Sequence, residues 1–199
     1  NHKAFVRKVA PDYYTDAMTH VNVAVIDAEE QERTDLGGEY SFLGGIGEVS
    51  VAEKVVGYKK IKYNTHENVG YGEVRLPEMQ MHTSSFWMTF PTALVDAQPV
   101  PRASVMDALR GISHAMKTVA VVGLMIDPRD LGRTLGDQSD PASPPSKSAG
   151  GGSGKFDPTI FLYDSAPGGV GLATRLYEDR ESLLRGTRSL IARCACEAG

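Results

Sequence analysis

The sequence predicts an α+β protein, with an antiparallel β-sheet in the N-terminal half packed against helices in the C-terminal half. Three observations carry this expectation. Over residues 47–76, β-branched and aromatic residues alternate with polar ones, which is the period-two pattern of half-buried strands. After Pro101 the apolar residues recur at steps of four and three, the spacing of one helix face. Between two such helical stretches, "TIFLYD" (159–164) is a short apolar run, as a buried strand would be.

Taken in order, the first strand candidate is "VNVAVID" (21–27). It runs into an acidic stretch, 27–39, where six carboxylates stand against one Arg, and this stretch reads as a solvated loop or sheet edge. Within 47–76, Gly57, Gly70 and Gly72 read as bends or turn residues that divide the segment into several antiparallel strands. Residues 79–90, "MQMHTSSFWMTF", are apolar on both parities, as in a strand covered on both faces, and Pro91 ends it.

In the helix after Pro101, Val105, Leu109, Ile112, Met116, Val119 and Gly123 share one face, while Asp107, Arg110, His114 and Lys117 share the opposite one. Residues 138–155, "QSDPASPPSKSAGGGSGK", have no apolar side chain larger than Ala. They cannot offset their ordering entropy by burial and read as a flexible surface loop. A final helix is expected over 170–193, with Leu172, Leu176, Leu183, Leu190 and Ile191 inward. Gly186 would weaken it by about 1 kcal/mol relative to Ala.

With 199 residues, of which 41% are hydrophobic and 23% charged, the chain can bury one sizeable core, so a single domain over 1–199 is the default. Its net charge of −4 argues against a protein that coats nucleic acid throughout, while leaving room for a local basic face. No apolar run reaches the ~18 residues of a membrane span. Neither a leader pattern nor a secreted disulfide framework is present, so the chain reads as cytoplasmic, with no membrane partner. Its opening without Met reads as a piece of a longer chain.

Two stretches suit nucleic acid. In "GYKKIKYN" (57–64), Tyr58, Lys60 and Lys62 project from one face of a strand, and Lys59, Ile61 and Tyr63 from the other. One aromatic ring and two ammonium groups can stack a base and neutralise two phosphates. The same residues equally suit the solvated face of an antiparallel sheet. In "YDSAPGGVGLA" (163–173), a strand, a Pro-Gly-Gly turn and a helix start bring backbone N–H groups and the positive end of a helix dipole to Gly168 and Gly169, which suits a phosphate. Alternatively, these glycines only permit a tight turn and close helix–strand packing. The spacing matches neither the dinucleotide fingerprint nor the P-loop.

Catalysis finds little support. His2, His20, His66, His82 and His114 fall in no metalloprotease or deaminase pattern. Ser84 and Ser85 follow His82 without a G-x-S-x-G elbow, and Asp164 reads as a helix-start or turn residue. The two cysteines, Cys194 and Cys196, stand in the terminal "RCACEAG". Alone they are too few for a structural zinc ion, which takes four ligands. A bridge between them is disfavoured by its one-residue spacer and by a reducing cytoplasm. They also fit as two small residues at a frayed helix end.

Three ordered blocks carry a resemblance. "GEVSVAEKVVGYKKIKYNTHENVGYGEVRLPEMQMHTSSFWMTF", "AMKTVAVVGLMIDPRDLG" and "TIFLYDSAPGGVGLATRLYEDRESLLRGTRSLIARCACEAG" closely resemble successive blocks of the C-terminal region of MrfA-like DEAD/DEAH-box helicases, the bacterial mitomycin-repair group of superfamily II. The resemblance runs through most of the chain apart from the Ser/Pro/Gly loop. It implies a terminal zinc site of the form C-x-C-x-x-G-C-P-x-C, to whose first half Cys194, Cys196 and Gly199 correspond, with the second cysteine pair just beyond.

It further implies a parent protein that moves 3′ to 5′ on single-stranded DNA with ATP and Mg²⁺ and unwinds duplex during repair. A Walker A lysine, a DEAD/DEAH box and an arginine finger are all missing from this sequence, so the piece is expected to be no enzyme itself. Its implied role is accessory: to guide DNA and brace the motor lobes of the same helicase. The competing expectation is a scaffold that docks partners through the 27–39 stretch and the long loop without touching DNA.

Overall fold

Alternation in the N-terminal half produces fewer and longer strands than the sequence predicts. A computed structural model describes residues 6, 8–35, 41–137 and 157–195. Strand β1 is Tyr13–Asp35, β2 is Ser41–Lys62, β3 is Asn68–Gly72 and β4 is Met79–Thr89. Helices α1 (Thr92–Asp96) and α2 (Arg102–Leu124) follow, then β5 (Leu131–Asp137), β6 (Pro158–Asp164), α3 (Leu172–Glu178) and α4 (Arg180–Ala192). The strand order is β1-β2-β4-β6-β5, with β3 paired to β2, and the β2–β3, β4–β6 and β5–β6 pairs are antiparallel. The fold is therefore α+β. Among the described residues, no helix is long and apolar enough to cross a membrane.

Where the sequence reads as one domain, the contacts fall into two compact units. One comprises Asn1–Val21 and Ala52–Met79, the other Asn22–Val51 and Gln80–Gly199. Strands β1 and β2 supply residues to both.

In the larger unit, register explains why β4 and β6 are apolar on both parities. Phe86 pairs with Leu162 and Met88 with Ile160. These four share a face and belong to a core that includes Leu109, Met116 and Ala120 of α2, Ala173 and Leu176 of α3, and Leu183 of α4. Trp87 pairs with Phe161 on the other face, and both rings are fully buried. The indole lies directly against Gly45, where an added Cβ would stand 2.5 Å from the ring. The hydroxyls of that face are satisfied. The Thr89 and Thr159 hydroxyls bond each other at 2.9 Å, and the Ser85 hydroxyl donates to the Leu162 carbonyl at 3.1 Å.

Several expectations need correction. Gly57 does not divide the 47–76 segment, because it lies inside β2 with Met18 and the Gly72 backbone packed where a side chain would go. The acidic stretch is strand as far as Asp35, at the end of the strand order. Its Glu32 is paired with Arg180, while residues 36–40 lie outside the described residues. The buried stripe of α2 is Leu109, Ser113, Met116 and Ala120. This rotation leaves Gly123 exposed and brings Lys117 half under cover.

The expected final helix is two, α3 and α4, separated at Asp179, whose φ of −95° and ψ of 17° are not helical. After that break Leu190 and Ile191 are exposed instead of inward. Gly186 is also more than a weak helix former: a Cβ there would come 2.9 Å from a methyl of Val119, so the missing side chain lets α4 approach α2. The 138–155 loop lies outside the described residues.

Candidate nucleic-acid interface

The β2–β3 hairpin of the smaller unit holds the first predicted site. Tyr58 pairs with Gly72, Lys59 with Tyr71 and Lys60 with Gly70, and the register shifts between Lys60 and Ile61, so the regular ladder runs from Tyr58 to Lys60 and Tyr63 lies beyond the end of β2. The Tyr58 ring lies over Gly72, in the space a side chain there would need. The Lys60 ammonium sits 5.4 Å from the centroid of the Tyr13 ring, a cation–π arrangement. Lys62 Nζ is 3.8 Å from Glu67 Oε2. This exposed pair contributes little, so Glu67 tempers the charge of Lys62 without immobilising it.

Tyr13 is a member of this face that sequence reasoning missed, since it comes from β1. The hairpin is closed by Lys62 N–H donating to the Glu67 carbonyl at 3.0 Å and His66 N–H donating to the Lys62 carbonyl at 3.1 Å. His66 takes a φ of 54°, a left-handed conformation tolerated in tight turns.

The second predicted site, Gly168 and Gly169, lies in the larger unit and has a different character. Gly168, Gly169 and Gly171 have φ values of 80°, 75° and 86°, which glycine adopts readily. The Gly168 N–H donates to the His82 carbonyl at 2.8 Å and the Gly169 N–H to the Ala166 carbonyl at 3.0 Å. A Cβ on Gly169 would stand 2.6 Å from the Ser84 hydroxyl oxygen.

Asp164, fully buried at the end of β6, accepts from the N–H groups of Val170 at 2.5 Å, Leu172 at 3.2 Å and Ala173 at 2.9 Å. The protein's own carboxylate thus stands where an incoming phosphate was expected, satisfying the donors at the start of α3. This geometry is that of the packing alternative, and Asp164 is the helix-start residue the sequence indicates. A further cationic position, absent from the sequence reading, is Arg133 on β5, which donates to the Ser113 hydroxyl at 3.0 Å. Burial, and then Arg133 nearby, hold the Lys117 ammonium below its ordinary pKa.

The third predicted site begins where α4 ends. The Cys194 N–H donates to the Ile191 carbonyl at 3.2 Å, placing its side chain just past the last helical turn, while Cys196 and Gly199 lie outside the described residues. Cys194 is disulfide-bonded here instead of a free thiol, against the sequence expectation. A disulfide sulfur is no thiolate ligand, so metal binding through it requires reduction. Among the described residues no three of His, Cys, Asp and Glu gather into a metal-sized cluster. Beside Cys194, α2 and α4 flank an apolar groove of about 1180 Å³ lined by Ile112, Val119, Val122, Leu190 and Ile191.

The segment that ends in these cysteines, residues 112–199, matches the MrfA Zn-binding domain. Residues 112–199 belong to that family. Its segment here takes in most of α2, then β5, β6, α3 and α4, and the β2–β3 hairpin precedes it. Similarity to whole proteins extends over the hairpin as well. The chain is 34% identical over 200 residues to an uncharacterized ATP-dependent helicase, YprA, of Bacillus subtilis (strain 168), covering 99% of this chain and 24% of that protein. The crystal structure of the DUF1998 helicase MrfA bound to DNA superposes with a TM-score of 0.63 at 30% identity, covering 97% of this chain and 23% of that one. The same helicase bound to DNA and AMPPNP gives a TM-score of 0.50 at 28% identity, covering 97% and 21%. The chain therefore spans about a quarter of the length of the relatives it matches.

Proposed function

We propose that this MrfA-type segment is the accessory part of a cytoplasmic, ATP-dependent 3′–5′ DNA repair helicase of the DEAD/DEAH-box class, guiding single-stranded DNA and bracing the motor lobes. ATP and Mg²⁺ belong to the motor of the parent chain and not to these residues. The observation that carries the reading is the Tyr58, Lys60 and Lys62 face of the β2–β3 hairpin, joined by Tyr13, in a chain similar to a helicase solved on DNA. Gly168 and Gly169 enter it as the turn that holds α3 against β6, with any phosphate contact there secondary to the Asp164 carboxylate.

In the full-length chain, Lys60→Ala with Lys62→Ala is expected to weaken single-strand binding. It should also lower the slope of log affinity against log salt by up to about 1.4, the share of two phosphate contacts on a single strand. An unchanged slope removes the lysines from the interface.

Zinc is the second part of the proposal. Cys194 and Cys196 supply two thiolates of a tetrahedral four-cysteine site whose function is to fasten the end of α4. Under reducing conditions the full-length chain should hold one zinc ion, and Cys194→Ser with Cys196→Ser should abolish it. Elemental analysis finding equal zinc in both would end this assignment. A second reading, a scaffold without DNA contact, is favoured by the exposed apolar groove between α2 and α4. Crosslinking on a tailed duplex separates the two, since a scaffold gives protein–protein links and no DNA adducts from residues 58–62.

A further inference from the structure

The hairpin face opposite Tyr58 and Lys60 is the more open one, and its residues form a consistent set. Lys59 pairs with Tyr71 across the β2–β3 ladder, and cross-strand partners share a face. Tyr63 opens the turn after β2, beyond a register shift between Lys60 and Ile61, and the Tyr14 ring lies 5.5 Å from the Tyr63 ring at 42°. Tyr71 is 67% exposed, Tyr63 53% and Tyr14 36%. On the Tyr58 face, by contrast, the Tyr58 ring is closed onto Gly72 and Tyr13 is covered by the Lys60 ammonium.

Scattered surface tyrosines need no explanation. Three exposed tyrosines at one hairpin, with a lysine across the ladder from the most exposed of them, match the pairing of aromatic surface and positive charge that takes single-stranded bases and their phosphates. Tyr71 stands within the β2–β3 ladder and Tyr63 in the turn that follows β2, so the two form separate stacking stations.

We propose that the exposed Tyr71, with Lys59 across from it, and the Tyr63–Tyr14 pair at the turn end of the β2–β3 hairpin form a base-stacking platform for single-stranded nucleic acid, with Lys59 supplying a phosphate contact. This rests on the DNA reading above and adds to it a surface that the Tyr58 face does not include. The test measures binding of fluorescent oligo-dT by the full-length chain. Tyr63→Ala with Tyr71→Ala is expected to weaken binding roughly tenfold or more at an unchanged salt slope. The corresponding Phe pair, which keeps both rings, should stay close to the parent affinity. If the Ala pair binds like the parent while Lys60→Ala with Lys62→Ala weakens binding, the platform is overturned and the DNA reading stands. If neither pair matters, both fall. If the Phe pair loses as much as the Ala pair, the contact is not stacking and the platform is again overturned.

Discussion

Replacing Asp164 with Ala is expected to lower stability by about 3–5 kcal/mol, the range for removing one partner from a buried charged network. Its carboxylate accepts from three backbone donors at the start of α3 and is fully buried. Truncation leaves those donors without an acceptor, at about 1–3 kcal/mol each before water enters. The same change removes a negative charge from the positive end of a helix. Asp164→Asn keeps one acceptor oxygen and should lose about half as much. Denaturant midpoints give the total, and hydrogen exchange locates it, with faster exchange expected at Val170, Leu172 and Ala173. A loss below about 1 kcal/mol would show that the turn is held by its glycines and by the Thr83 hydroxyl bonds to the Asp164 and Ala166 carbonyls.

Trp87→Ala should cost a comparable ~3–5 kcal/mol, the usual range for deleting a large buried aromatic side chain. The indole is completely buried, packs 6.3 Å from the Phe161 ring centroid, and sits where a side chain on Gly45 would be. Two effects oppose each other in Trp87→Phe. Ring volume is lost, but Trp87 Nε1 is a buried donor with no hydrogen-bond partner among the described residues, and its removal relieves a desolvation penalty of about 1–3 kcal/mol. The Phe variant should therefore lie within about 1.5 kcal/mol of the parent. Equal losses for Ala and Phe in thermal melts would mean that the nitrogen is bonded after all.

The residues that were legible in the sequence are those whose neighbours are local. Strand β4, strand β6 and helix α2 follow from periodicity, and the alternation of Tyr58 and Lys60 puts those two on one face. The partners of that face were not legible. Tyr13 reaches Lys60 from another strand, and Gly72 makes room for Tyr58 only through the register of β2 against β3. Strand β5 escaped because "LGRTLGD" has glycines where strand formers would be. It is a strand through its pairing with β6, where Gly132 accommodates the Tyr163 ring, an instance of tertiary context overriding propensity. The division between α3 and α4 was hidden because leucine periodicity continues through Asp179. The Pro-Gly-Gly turn stays open between two readings in the sequence for a physical reason: the sequence shows the donors at a helix start, while only the fold shows that Asp164 answers them.

Strand β5 stands at the end of the strand order, and an edge strand is a template on which further chains can add. Its inner face carries Arg133 between Leu131 and Leu135, with the guanidinium bonded to the Ser113 hydroxyl and Lys117 half-buried nearby. A second copy extending the sheet at this edge would set its own Arg133 into the same inward-facing layer and bring a further uncompensated cation into shelter from water, an expensive transfer. Gly132 and Gly136 give that copy little side-chain surface to grip on the other face. The inward guanidinium and the two glycines together make this edge a poor template for a second copy of the chain.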